Sequence, residues 1–302
     1  MNNYLLVAAA LLPSIVLCIY VYIKDRHEKE PVGLLLLLLL AGAVCCFPAA
    51  LIEEILVKIT NLFFGVHDAE KDTLEMARHV FYAYNFLKYF IGVALVEEFF
   101  KWISMVSITK KNKNFNSFFD GIIYAVFVSL GFAALENVLY VIKGGWYVAL
   151  IRAVMSVPGH MFDAVIMGYY YSLWHIYDKA AKLENYLESE GKISRILPSF
   201  PSKACKICSL LIPVAVHGFY DFCCAMGNEW GIILLIALVI FLYVHCFKKI
   251  RRMSVMDMGD VTYAKMLVIN KYRDSVLAEA DNSKQPESAG AQENNEKAVA
   301  TN

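Results

Sequence analysis

The sequence predicts an all-α fold, a polytopic membrane bundle of about seven transmembrane helices, and three observations predict it. Of 302 residues, 59% are hydrophobic and 19% charged, with a mean hydropathy of +0.50, above the apolar share of a soluble domain. Apolar runs near the ~20 residues that cross a ~30 Å hydrocarbon core recur along the whole chain. The runs are continuous rather than alternating, which favours helices over barrel strands for satisfying backbone polar groups in lipid. The charges balance, 28 Lys+Arg against 28 Asp+Glu, so no basic excess points to a nucleic-acid partner.

The first run, residues 4 to 23, is expected to be a retained helix: no Lys or Arg precedes it, it is too long for a signal-peptide core, and no small-x-small cleavage site follows. The next spans are expected at 32 to 57, 81 to 108, 120 to 142, 146 to 177, 204 to 226 and 230 to 247. The second and fifth exceed the minimum length and are expected to tilt, kink or project. Lys24, Arg26, Lys29, Lys110, Lys111, Lys113, Lys179, Lys182, Lys192, Arg195, Lys203, Lys248, Lys249, Arg251 and Arg252 all fall in alternate connections. The positive-inside rule therefore places the N-terminus outside and the C-terminus in the cytoplasm. The chain divides into residues 1–80 (two helices and an outer loop), 81–226 (a four-helix catalytic core), 227–253 (a seventh span) and 254–302 (a cytoplasmic tail, disordered after about 280). Residues 61–80, acidic on balance, are a candidate short surface helix. Cys18, Cys45, Cys46, Cys223, Cys224 and Cys246 lie in apolar runs and are expected to pack as small hydrophobes. Cys205-x-x-Cys208 has no second pair and is read the same way.

Ionisable side chains inside spans are expensive, roughly 2.5 to 3.5 kcal/mol each on insertion scales, and are functional candidates. They fall on four consecutive helices. Span three carries Glu97, Glu98 and Lys101; span four Glu136 and Asn137; span five Arg152, His160 and Asp163; span six His217 and Asp221. Arg152, Ser156, His160 and Asp163 share one helical stripe, as do Pro213, His217 and Asp221. At 1.5 Å per residue, Glu97, His160 and His217 lie roughly 15 to 24 Å from the outer boundary, with Glu136 somewhat nearer the outer face. Helices surrounding one cavity would let these groups meet. Taken singly, Glu97 and Lys101 also fit an intrahelical pair, and the His and Asp residues interhelical hydrogen bonds. Glu53, Glu54 and Lys58 are expected at the outer interface, and Lys88 is expected to snorkel outward.

Two adjacent carboxylates in a low dielectric do not readily both ionise, which leaves a group able to take a proton from water. Lys101 would hold the other carboxylate charged. His160 and His217 would donate to a developing oxyanion, with Asp163 and Asp221 fixing their tautomers. These are parts of a peptide hydrolase, and no serine elbow or cysteine-histidine pair competes. The residues assign no metal or other cofactor, but if zinc is used, His160, His217 and Glu98 would be its ligands. Intramembrane carboxylates and histidines also build the proton relays of transporters and channels, which stands as the alternative.

Glu-Glu-x-x-Lys at 97 to 101, Phe119-Asp120-Gly121 leading to Gly131-Phe132-Ala133 and Glu136-Asn137, Arg152-Ala153 leading to His160, and His217-Gly218-x-x-Asp221 occur in that order. Across about residues 81 to 226 the chain thereby resembles the PrsW family of intramembrane proteases. Their wider group includes the prenyl-protein (CAAX) endopeptidases and the Aph-1 scaffold of gamma-secretase. The resemblance implies a glutamate-dependent protease of a bacterial cytoplasmic membrane. Its expected partners are the bilayer and a membrane-anchored protein, an anti-sigma factor given its first cut under envelope stress. It also implies a catalytic set of Glu97, Glu98, His160 and His217. Lys101, Glu136, Asn137, Arg152, Asp163 and Asp221 would support them. A non-catalytic scaffold remains the third reading, and neither substrate nor oligomeric state is legible.

Overall fold

A computed structural model describes residues 3–26, 28–68, 72–73, 75–193 and 198–283, and among them helices are the only regular elements of any length. The helices are α1 (Asn3–Lys24), α2 (Val32–Phe64), α3 (Arg78–Phe86), α4 (Leu95–Thr109), α5 (Asp120–Val154), α6 (Ser156–Ser189), α7 (Ser202–Ala225), α8 (Glu229–Val255) and α9 (Asp260–Ser283). A π-helical turn, Leu87–Ala94, joins α3 to α4 without a break. Five helical stretches are long and apolar enough to cross a membrane: Tyr4–Lys24, Val32–Phe64, Asp120–Ser189, Ser202–Ala225 and Glu229–Val255. The expected crossing at 81 to 108 is not among them; there the helix is divided into α3, the π-helical turn and α4, each shorter than a crossing.

The stretch Asp120–Ser189 spans 70 residues because two expected crossings follow one another within it. Gly145, at φ 71° and ψ −159°, separates them. A side chain would clash in that conformation, so the sequence needs glycine there. The hydrogen bonds of Arg152 to Asn137 and of Ser129 to the His160 carbonyl, with the approach of Gly168 to Gly121, pair residues symmetrically about this point. The two arms therefore form an antiparallel hairpin. A second break at Met155 has a different cause. Pro158 lacks an N–H and cannot bond the Val154 carbonyl four residues back. The Tyr243 hydroxyl donates to that carbonyl instead, at 2.6 Å.

α5 is the central helix. From Asp120 to Ala133 every side chain is buried, as expected of a helix enclosed on all sides. α1, α2 and α6 pack around it, and α7 lies along α6, while α8 keeps most of its apolar surface exposed. All eight cysteines are free, and six of them are buried. Among the described residues none, including Cys205 and Cys208, joins a group with metal-ligand spacing. In the segment 61 to 80, α2 continues through Phe64 and α3 begins at Arg78; residues 69–71 and 74 lie outside the described ones.

The part of the tail before about residue 280 forms a helix. α9 docks on α6 through a 2.9 Å contact of Asp260 with His175, a salt bridge to Lys179, and a 2.7 Å bond from the Tyr272 hydroxyl to Glu184. Burial opposes the Asp260 charge, but the hydrogen bond with His175 and the Lys179 ammonium hold its carboxyl below the usual range. The disorder expected after about 280 falls largely outside the described residues, since α9 runs to Ser283.

Candidate active site

The third expected span delivers two carboxylates and a lysine to the interior through a change of helical pitch. The π-helical turn ends at Ala94, and α4 then points Glu97, Glu98 and Lys101 inward; all three are buried. Such turns are wider than an α-helix and cost stability, and they gather at functional sites. α7 approaches this turn closely: a side chain on Gly218 would lie 2.7 Å from the Phe90 ring. Glycine beside His217 thus sets the depth at which that imidazole enters.

Lys101 is the hub. Its Nζ donates to Glu97 Oε2 at 2.9 Å and to Glu98 Oε1 at 2.8 Å, and lies 3.1 Å from His160 Nδ1, so its three donors meet three acceptors. The ammonium also sits 4.3 Å from the centre of the Phe132 ring. An ammonium donating to Nδ1 leaves the His160 proton on Nε2, which donates to Glu136 Oε2 at 2.9 Å. Glu136 in turn accepts from Arg152 Nη2 at 2.8 Å. Arg152 Nε donates to Asn137 Oδ1 at 2.9 Å, and Asn137 Nδ2 donates to the Ala10 carbonyl of α1 at 2.7 Å. His217 Nδ1 lies 2.9 Å from Glu98 Oε1, and its Nε2 is 3.5 Å from Asp221 and 4.0 Å from Glu97. The two imidazole rings are perpendicular, 5.6 Å apart.

Nine of the ten site candidates read from the sequence are linked in this one network. Two details differ from expectation. Glu136 and Lys101, not Asp163, orient His160; Asp163 Oδ1 has no hydrogen-bond partner. Glu136, expected somewhat nearer the outer face than His160, lies within bonding distance of it. The four donors Glu97, Glu98, His160 and His217 offer ligand atoms within 4.8 Å of one another, enough to hold a metal ion. Among the described residues this is the only group of its kind.

The network borders a cavity of about 630 Å³. Glu97, Glu136, His160, Asp163, His217 and Asp221 line it, whereas fully enclosed Glu98 does not. Glu53 also lines it, against the expectation of an interfacial position. Glu54 and Lys58 keep that position, as an exposed pair one turn apart. Adjacent residues on a helix point about 100° apart, so one glutamate turns inward while its neighbour faces out. Cys46, Ala50 and Glu53 recur at i, i+4 and i+7 on the cavity wall. That stripe was the available signal, masked by the doublet of glutamates near a helix end.

The family described as "PrsW family intramembrane metalloprotease" matches residues 30–246. Protease PrsW of Clostridioides difficile is 32% identical over 240 residues, 78% of this chain and 85% of the relative. Protease PrsW of Geobacillus kaustophilus is 30% identical over 226 residues, 75% and 82% of the two chains. Protease PrsW of Bacillus subtilis is 28% identical over 258 residues, 85% of this chain and all of the relative. No solved structure matches the chain. With apolar helices long enough for several crossings, a buried Glu/His cluster on a cavity, and a family match over most of its length, this multi-pass membrane protein belongs to the PrsW family of intramembrane proteases.

Proposed function

We propose that the chain hydrolyses a peptide bond of a membrane-anchored protein within the cavity bounded by α2, α4 to α7 and the π-helical turn. The observation that carries this reading is the meeting of Glu97, Glu98, His160 and His217, all buried, at one side of that cavity. In the mechanism Glu97, the member of the pair that reaches the cavity, takes a proton from the attacking water. Glu98 and Lys101 act behind it, Glu98 fixing His217 and Lys101 fixing both carboxylates. His160 and His217 line the cavity beside Glu97. His217, whose Nε2 is held only at 3.5 Å by Asp221, turns to the scissile carbonyl and stabilises its developing negative charge, an effect strengthened in a water-poor site. His160 joins it when its proton shifts from Glu136. Glu136, Arg152 and Asn137 hold His160, and Asp221 holds His217.

The family description implies a metal, and the donor set suits one: two imidazoles and two carboxylates within 4.8 Å, with Glu98 Oε2 buried and without a partner. Glu97, Glu98, His160 and His217 would hold it. When bound, zinc supplies a Lewis acid for the carbonyl and activation of water.

Seven crossings with the N-terminus outside complete the proposal: α3, the π-helical turn and α4 together make one crossing, and the cut falls toward the outer face. First-site cleavage of an anti-sigma factor under stress in the bacterial cytoplasmic membrane is the biological role most consistent with the motifs. The test is cleavage of a single-pass reporter by purified protein in liposomes, with Glu97→Ala, Glu98→Ala and His217→Ala beside wild type. Wild type is expected to cut and the variants to fail; three stable variants cutting at the wild-type rate would refute the site. Undiminished cleavage after verified metal removal would refute zinc.

A further inference from the structure

The cavity contains one carboxylate that the network above does not use and that an incoming chain can reach. Glu97 is matched by Lys101, Glu136 by Arg152, and Asp221 by His217. Two cavity carboxylates have no ion-pair partner, Asp163 and Glu53. Asp163 is almost wholly enclosed, 4% exposed, and lies beyond His160 on α6. Glu53 is only partly enclosed, on the α2 wall, yet its Oε1 is buried and meets no hydrogen-bond donor. Its electrostatic neighbours are the carboxylates of Glu97 and Glu136 and, from further along the network, Lys101 and His217, neither of which bonds to it. A buried carboxyl oxygen without a donor is costly, and a positive group arriving with the substrate supplies that donor.

Resting on the peptidase reading, we propose that Glu53 is a specificity-determining residue that selects substrates with a lysine or arginine on the outer-face side of the scissile bond. Position along α2 supports the placement. Glu53 stands 21 residues beyond the first residue of α2, about 30 Å along the axis, toward the end opposite the cytoplasmic loop. The long stem of lysine or arginine crosses apolar surface while its charged end reaches a carboxylate. Sites built around a buried polar partner discriminate strongly, because a substrate lacking the complement leaves the group unmatched. An acidic side chain at that position meets Glu53 and Glu136 together and is rejected by repulsion as well.

The experiment uses single-pass reporters that differ only in carrying Lys, Gln or Glu at successive positions on the outer-face side of the cut. Cleavage is measured with full-length protein in liposomes. Wild type is expected to prefer Lys over Glu by about tenfold or more in kcat/KM at one position. Glu53→Gln should flatten that preference and Glu53→Lys should reverse it, while Glu54→Gln leaves it unchanged. A merely structural role lowers cleavage of all reporters alike and cannot reverse their order. Cleavage without charge preference, or a preference that survives Glu53→Gln, overturns this assignment alone. Wild-type protein that cuts none of the reporters overturns the peptidase reading beneath it.

Discussion

The chain buries two clusters of acidic side chains, one at the start of α5 and one beside its middle, and they neutralise charge differently. Around Glu97, Glu98 and Glu136 the compensation comes from side chains: Lys101, Arg152 and two histidines, each bonded to more than one partner. At the start of α5, Asp25, Glu30 and Asp120 are 4% exposed or less, and Asp257 stands beside them. There the compensation comes mainly from short-range donors. Asp120 accepts from the backbone N–H of Asn116 and Ser117, Asp257 from the N–H of Phe119 and the Ser117 hydroxyl, and Asp25 from the N–H of Glu30. Backbone donors fix the chain: they hold the turn before α5, close the α1–α2 loop on itself and join the segment before α9 to the start of α5. Side-chain cations and imidazoles leave lone pairs and protons that exchange with a substrate or an ion. The difference separates a brace from a site, although both are buried carboxylates on one helix.

The sharpest way to break this distinction is to remove the base. Glu97→Ala is expected to lower reporter cleavage by about 10²- to 10⁴-fold, the usual worth of a general base, with little change in thermal unfolding. A comparable loss from Asp120→Asn at unchanged fold would erase the contrast. Next is Lys101→Met, which strands two buried carboxylates. Removing one partner of a buried pair costs about 3–5 kcal/mol, so a marked fall in Tm in detergent should accompany loss of activity.

The cluster at the start of α5 is expected to answer to pH through stability. Burial, reinforced by the Asp120 carboxylate, pushes Glu30 up to about 8, and burial pushes Asp25 up to about 6 against the pull of the Glu30 N–H. A carboxyl with a raised folded pKa keeps its proton longer in the native state than in the unfolded chain. Stability from this group therefore falls as pH rises from the ordinary carboxylate range toward 8, then levels off. Glu30→Gln should flatten that part of the Tm-against-pH curve; an unchanged slope would refute the assignment. The smallest effect is expected at Asp260, whose carboxyl is held low. Its contribution is present above the ordinary carboxylate range and lost as pH falls through its lowered value. Asp260→Asn should cost about 1 kcal/mol and raise amide exchange at the start of α9, without altering cleavage.

Much of this was legible in the residues. Helical class followed from apolar run lengths, and the ten candidate residues were found because charge in lipid is expensive wherever it occurs. The π-helical turn was not legible, because nothing in Leu87 to Ala94 distinguishes five-residue from four-residue hydrogen bonding until α7 packs Gly218 against Phe90. Glu53 was missed for a related reason: its position near a helix end fits an interface as well as a cavity, and only neighbouring helices distinguish them. Glu136 displaced Asp163 as the partner of His160 because that bond crosses from α5 to α6, across the hairpin set by Gly145.

The sequence by itself determined the solvent, the helices and the list of costly side chains, since each follows from local composition and the price of burying charge. The tertiary structure decided which carboxylate meets which cation, which glutamate reaches the cavity and which stays behind it. Those pairings depend on helix rotation and depth to within a few ångströms, a precision fixed by packing between segments far apart in the chain.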